Sequence, residues 1–142
     1  MTEYDPESDS ARLAYFVGRV NRLLRTATGG LSHGQLSALA TVAKAGPLRF
    51  AELAQAEQVS APGVTRIVAD LEARELITRQ ADPDDGRAVL IQVTPAGTDA
   101  LLRARAARTE VIAALIGNLD DAELTSVTAA LPALEKLIGV NR

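Results

Sequence analysis

Apolar residues recur at three- and four-residue intervals through Leu13, Phe16, Val17, Val20, Leu23 and Leu24, the spacing of one helix face, and predict a first helix over 10–27. Thr28-Gly29-Gly30 ends it. Ser32 followed by Gln35 is a capping-box pattern, and Leu36, Leu39, Ala40 and Ala43 form the inner stripe of a second helix that Gly46-Pro47 stops. A third helix is predicted over 50–57 and a fourth over 60–74, the latter with Val64, Ile67, Val68 and Leu71 facing inward. So short a spacer leaves room only for a sharp helix-turn-helix crossing.

The period then changes from helical to alternating. Leu76 to Gln80 reads as one extended segment and the alternation through Val89, Ile91 and Val93 as a second, together a β-hairpin with one buried face. Between them, Pro83 fixes its own φ and Gly86 tolerates φ > 0, which makes 82–87 an exposed, charged turn. Thr94-Pro95 opens a fifth helix running to about 117. Asp120 and Glu123 frame a sixth, striped by Leu124, Val127, Leu131, Leu134, Leu137 and Ile138, with Pro132 placed to kink or offset it.

The fold class expected is therefore mainly α with a small β-hairpin, a winged helix-turn-helix module joined to helices from both termini. The outer stripes exceed what one small domain can cover, so 1–30 and 95–142 read as a helical dimerisation region around a DNA-binding domain at 31–94. A monomeric helical cap is the alternative. Arg103, Arg105 and Arg108 fit either the wet side of the fifth helix or a phosphate-binding patch.

Composition narrows the chemistry. The 142 residues are 47% hydrophobic, enough for one domain with a real core. There is no cysteine and a single histidine, His33, so thiolate or histidine metal sites, disulfides and thiol redox switches are excluded and no cofactor is expected. The start, MTEYDPESDS, lacks the apolar stretch of a secretory signal and no apolar run approaches membrane length, so a soluble cytoplasmic protein is expected. Catalysis lacks its parts, since His33 has no evident partner, Ser60 is needed as a cap, and no G-x-S-x-G or phosphate loop occurs.

The fourth helix offers a different chemistry. With its stripe turned inward, Ser60, Ala61, Pro62, Gly63, Thr65 and Arg66 lie at or near its outer first turns, small residues with one hydroxyl and one arginine, suited to close approach to base edges in a major groove. A merely solvated face is the bland alternative for an isolated helix. A charged hairpin directly after a helix-turn-helix favours the first.

Read together, LSHGQLSALATV, FAELAQAEQVSAPGVTRIVADLEARELITRQADPDDGRAVLIQVTPAG and the flanking helices resemble the multiple antibiotic resistance regulator (MarR) family of dimeric bacterial transcription factors. The most specific portion runs from Leu71 to Gly97: a leucine-rich helix end, a strand bearing Arg79, the D-P-x-D-x-R tip and the T-x-x-G helix start. The resemblance implies that Arg87 reaches the minor groove, steadied by Asp85, that Arg79 on the wing strand also contacts DNA, and that a homodimer sets two fourth helices and two wings on double-stranded DNA. The family commonly carries arginine where this chain has Gly86. It also implies a small anionic aromatic effector at the junction of dimer helices and winged domain, towards which Tyr15, Phe16, Arg19 and His33 are directed; Phe16 as dimer core and His33 as a surface residue are the plainer readings.

Charge argues the other way. Between 49 and 93 five arginines face eight carboxylates, a net of −3, which keeps open a winged-helix module that binds protein instead of DNA. Non-specific DNA affinity is expected to be modest, carried by a few well-placed arginines.

Overall fold

The computed structural model describes residues 5–140. Its elements are α1 (Asp9–Leu24), α2 (His33–Ala45), β1 (Leu48–Arg49), α3 (Phe50–Glu57), α4 (Ala61–Ala73), β2 (Ile77–Ala81), β3 (Val89–Val93), α5 (Pro95–Ile116) and α6 (Asp121–Leu137). The architecture is mainly helical with a small antiparallel sheet of order β1-β3-β2. β1 adds a strand that periodicity does not reveal, because two residues cannot alternate and their partners, Ile91 and Leu90, lie far along the chain.

Two helix starts follow their capping boxes. Ser32 Oγ accepts from the Gln35 N–H at 3.1 Å while Gln35 Oε1 accepts from the Ser32 N–H at 3.0 Å, and Asp120 and Glu123 repeat the exchange at 2.8 and 3.0 Å. α1 instead stops at Leu24, the last residue of its apolar stripe and short of the predicted end at 27. The Thr26 and Thr28 hydroxyls donate to the carbonyls of Leu23 and Arg25, and Gly29 and Gly30 take φ of 63° and 81°, turning the chain out of the helix. α6 continues through Pro132.

The core joins α2, α3, α4 and the sheet through Leu39, Val42, Leu53, Val64, Val68, Leu71, Ile77 and Ile91, all fully buried. Each side chain of this kind contributes roughly 1.5–3 kcal/mol relative to an exposed position. The hairpin's inward face is shorter than its alternation implies. Ile91 is buried and Val93 half-buried, whereas Val89 sits toward the wing tip beyond the edge of the core and is exposed.

A tight joint binds the end of α4, the exit of the wing and the start of α5. Thr94 donates its N–H to the Leu76 carbonyl at 3.0 Å and its hydroxyl to the Glu75 carbonyl at 2.7 Å, and its Oγ1 accepts from the Gly97 N–H at 3.0 Å. Gly97 is there because nothing larger fits: a Cβ would stand 2.1 Å from the Leu76 carbonyl oxygen.

By compactness the chain divides after Arg108, with α1 through β3 and the first turns of α5 in one unit and the rest of α5 with α6 in the other. Neither α1 nor α6 contains a buried residue. Phe16 is 58% exposed and Ile138 78%. Among the described residues no helix is long and apolar enough to cross a membrane.

Candidate nucleic-acid interface

α3 ends because Gln58 adopts a left-handed conformation, φ 54°, which redirects the chain into Val59 and Ser60. Ser60, extended at ψ 160°, then caps α4 by accepting from the Gly63 N–H at 3.2 Å. Gly63 serves that cap as well as any ligand. A Cβ there would lie 3.1 Å from Ser60 Oγ.

With Val64, Val68 and Leu71 buried, helical geometry turns Ala61, Pro62, Thr65, Arg66 and Ala69 to the exposed side. The Thr65 hydroxyl donates back to the Ala61 carbonyl at 2.9 Å, so toward an incoming partner it presents acceptor lone pairs. Arg66 projects beside it and, like Arg87, makes no ion pair among the described residues.

The wing turn is held by its own carboxylates. The Asp82 N–H donates to the Ala88 carbonyl at 3.0 Å, and Asp82 Oδ1 accepts from the Asp84 N–H at 2.9 Å. Asp85 Oδ1 accepts from the backbone N–H of Arg87 at 3.1 Å. Asp85 thus steadies the main chain of Arg87 and leaves the guanidinium to solvent. Gly86, expected to exploit φ > 0, does not: its φ lies outside the left-handed region, and an added Cβ would meet nothing within 4 Å.

Two ion pairs that spacing could not reveal organise the wing's root. Arg49, from β1, donates Nε and Nη2 to Asp82 Oδ2 at 3.0 and 2.6 Å. Asp82 is nearly buried, and the Asp84 N–H followed by Arg49 holds its carboxyl below the usual carboxylate range, while Asp82 raises Arg49 in turn. Arg79, singled out from sequence as a DNA contact, is engaged internally: its Nε lies 2.9 Å from Glu72 Oε2 and its guanidinium 5.2 Å from the centroid of the Phe50 ring.

Other acids are also committed. Glu52 accepts from the Arg49 N–H, Glu57 from the Thr41 hydroxyl, and Asp70 from the Gln35 amide. Each ion pair removes one charge of either sign and a hydrogen bond from a neutral donor removes none, so the segment 49–93 keeps its net acidity with its carboxylates fixed in place.

Of the residues directed to an effector, His33 lines a hollow of about 310 Å³ with Asn21, Arg25, Thr28 and Arg108. Tyr15, Phe16 and Arg19 are exposed on α1 and do not line it. Arg108 is half-buried, not simply the wet side of its helix, and its buried Nε has no hydrogen-bond partner among the described residues. Sequence reasoning missed Arg25 here because it lies past the end of α1's apolar stripe, where nothing in the periodicity marks it.

The MarR family model matches residues 31–89. An HTH-type transcriptional regulator of Mycobacterium tuberculosis is 34% identical over 128 residues, 89% of this chain and 90% of the relative. Among solved structures, the YusO protein of Bacillus subtilis superposes with TM-score 0.76 at 22% identity, over 89% of this chain and 92% of its own. A mutant of the regulator MepR from Staphylococcus aureus, bound to an oligodeoxyribonucleotide, does so with TM-score 0.72 at 19% identity, over 96% and 99%. At such identities the likeness is one of fold.

Proposed function

Because this chain belongs to the MarR family of winged helix-turn-helix transcriptional regulators and is not an enzyme, we propose that it works in the cytoplasm as a homodimeric repressor of a pseudo-palindromic operator. Each subunit inserts the first turns of α4 into a major groove and the Arg87 wing tip into the adjoining minor groove. One observation carries this reading: Arg66 on a face of small residues and Arg87 on a braced turn are both exposed and, among the described residues, without an ion pair, although acids outnumber arginines around them. The uncovered apolar stripes of α1 and α6 support the dimer, since a lone chain would leave Phe16, Val17, Leu137 and Ile138 in water.

A mobility-shift assay on the DNA flanking the coding region, followed by DNase protection, tests the proposal. Two protected half-sites about one helical turn apart, roughly 10 bp, are expected. A single asymmetric half-site held by a monomer overturns it.

The same reading includes relief by a small aromatic carboxylate. Arg25, His33 and the unpartnered Nε of Arg108 offer an anion several donors at one hollow, a charge-assisted arrangement that would satisfy a buried N–H now without a partner. Such a ligand shifts the dimer only as far as it prefers the DNA-free conformation. Titration of a panel of aromatic acids should lower operator affinity, and Arg108→Ala should blunt the effect. With no cysteine in the chain, peroxide should not act through a thiol. Operator affinity unchanged by the whole panel at saturation would sink the effector half of the proposal.

A further inference from the structure

The pair between Glu72 and Arg79 lies on the recognition side of α4. Steps of four, four and three residues link Ala61 to Thr65, Ala69 and Glu72, so Glu72 continues the face that carries the exposed first turns and stands at its C-terminal end. Thr65 and Ala69 are exposed, and the side chains of Glu72 and Arg79 keep 42% and 39% of their surface in solvent. A carboxylate at that place would repel a phosphate. Here it is neutralised across 2.9 Å by a cation from the wing strand β2, which in turn lies over the Phe50 ring at the start of α3.

Resting on the DNA-binding reading above, we propose that Glu72 masks Arg79, withholding from the phosphate backbone a cation that would otherwise anchor any duplex. Of the five arginines in 49–93, Arg49 is bound to Asp82, Arg74 donates to the Gly30 carbonyl at 3.0 Å and Arg79 is held by Glu72. Among the described residues, only Arg66 and Arg87 of these five then face DNA without an internal partner. Since a phosphate contact adds affinity without sequence information, the mask sets the salt concentration at which the protein leaves non-cognate DNA. The ring beneath Arg79 keeps the guanidinium near its present place when the carboxylate is removed, so that the freed cation stays on the recognition side.

Fluorescence-anisotropy titrations of a random-sequence duplex over a range of salt concentrations read this directly, with thermal melts to establish that each variant is folded. E72Q should bind about eightfold more tightly at 0.1 M salt, with the slope of log K against log salt steeper by about 0.9, the signature of one added phosphate contact. E72A, which leaves no amide oxygen for Arg79, should do the same, and E72Q combined with R79Q should return to the wild-type slope. Wild-type and E72Q slopes that coincide, with R79Q alone lower by one contact, would mean Arg79 already holds a phosphate and would overturn the mask. Equal slopes for all five folded proteins would overturn it as well. Wild-type protein that binds neither operator nor random duplex at 50 mM salt would instead overturn the DNA-binding reading beneath it.

Discussion

The guanidinium of Arg49 closes on a single oxygen of Asp82, 2.6 Å from Nη2 and 3.0 Å from Nε, and so fastens the root of the wing to the N-cap residue of α3. The other Asp82 oxygen holds the Asp84 N–H, so one nearly buried carboxylate both ties the turn and anchors it to the helix-turn-helix. Because Asp82 is held below its ordinary pKa, its contribution to stability is present above the unfolded carboxylate value of about 3.9 and is lost as pH falls through the lower folded value. Asp82→Asn should therefore melt below the wild type at neutral pH, with the gap closing as the pH is lowered past about 4. A gap that stays constant from pH 7 to pH 3 would show that the charge of Asp82 is irrelevant to the fold.

Arg87→Ala and Arg66→Ala should fail differently. The first removes an exposed wing-tip side chain whose backbone Asp85 still braces, so helix content should survive while binding to operator falls roughly tenfold or more. The second should cost on the order of 1–3 kcal/mol on the operator and relax preference at the base it reads. Equal losses on operator and random duplex would make Arg66 a phosphate anchor only.

Gly86→Arg should strengthen DNA binding. Position 86 has an ordinary backbone and open space around its Cβ, so a side chain enters without strain beside Arg87 at the wing tip. One additional phosphate or groove contact would steepen the salt slope by about 0.9. Unaltered affinity and slope in a folded variant would show that this position of the tip lies clear of the duplex.

Gly97→Ala should destabilise the fold by about 1–3 kcal/mol or more, because its Cβ would press on the Leu76 carbonyl at 2.1 Å and the backbone there is pinned by Thr94. Thermal unfolding measures it. The same joint carries α5 rigidly from the end of α4, so operator affinity should fall even at temperatures where the variant remains folded. A wild-type melting temperature would mean that the joint yields freely.

The sequence by itself determined the elements whose cause is local. Apolar spacing placed α3 and α4, the Ser32–Gln35 and Asp120–Glu123 pairs announced two helix starts, and Pro83 with the surrounding aspartates marked the wing turn, because each depends on residues within a turn or two of one another. The exposed side of α4 was legible for the same reason, since its buried stripe dictates what is left outside, whereas Arg87 was singled out by the family resemblance. Only the tertiary structure decided matters that join distant segments. Arg49 meets Asp82 across 33 positions, β1 finds its partner in β3, Arg79 turns to Glu72 and Phe50 instead of outward, and Arg108 comes to the hollow at His33. A sequence pattern records which side of an element is apolar, but which carboxylate neutralises which guanidinium is set by three-dimensional approach over a few ångströms. Net charge alone pointed away from DNA, while the structure shows which arginines are held by carboxylates and that Arg66 and Arg87 are exposed.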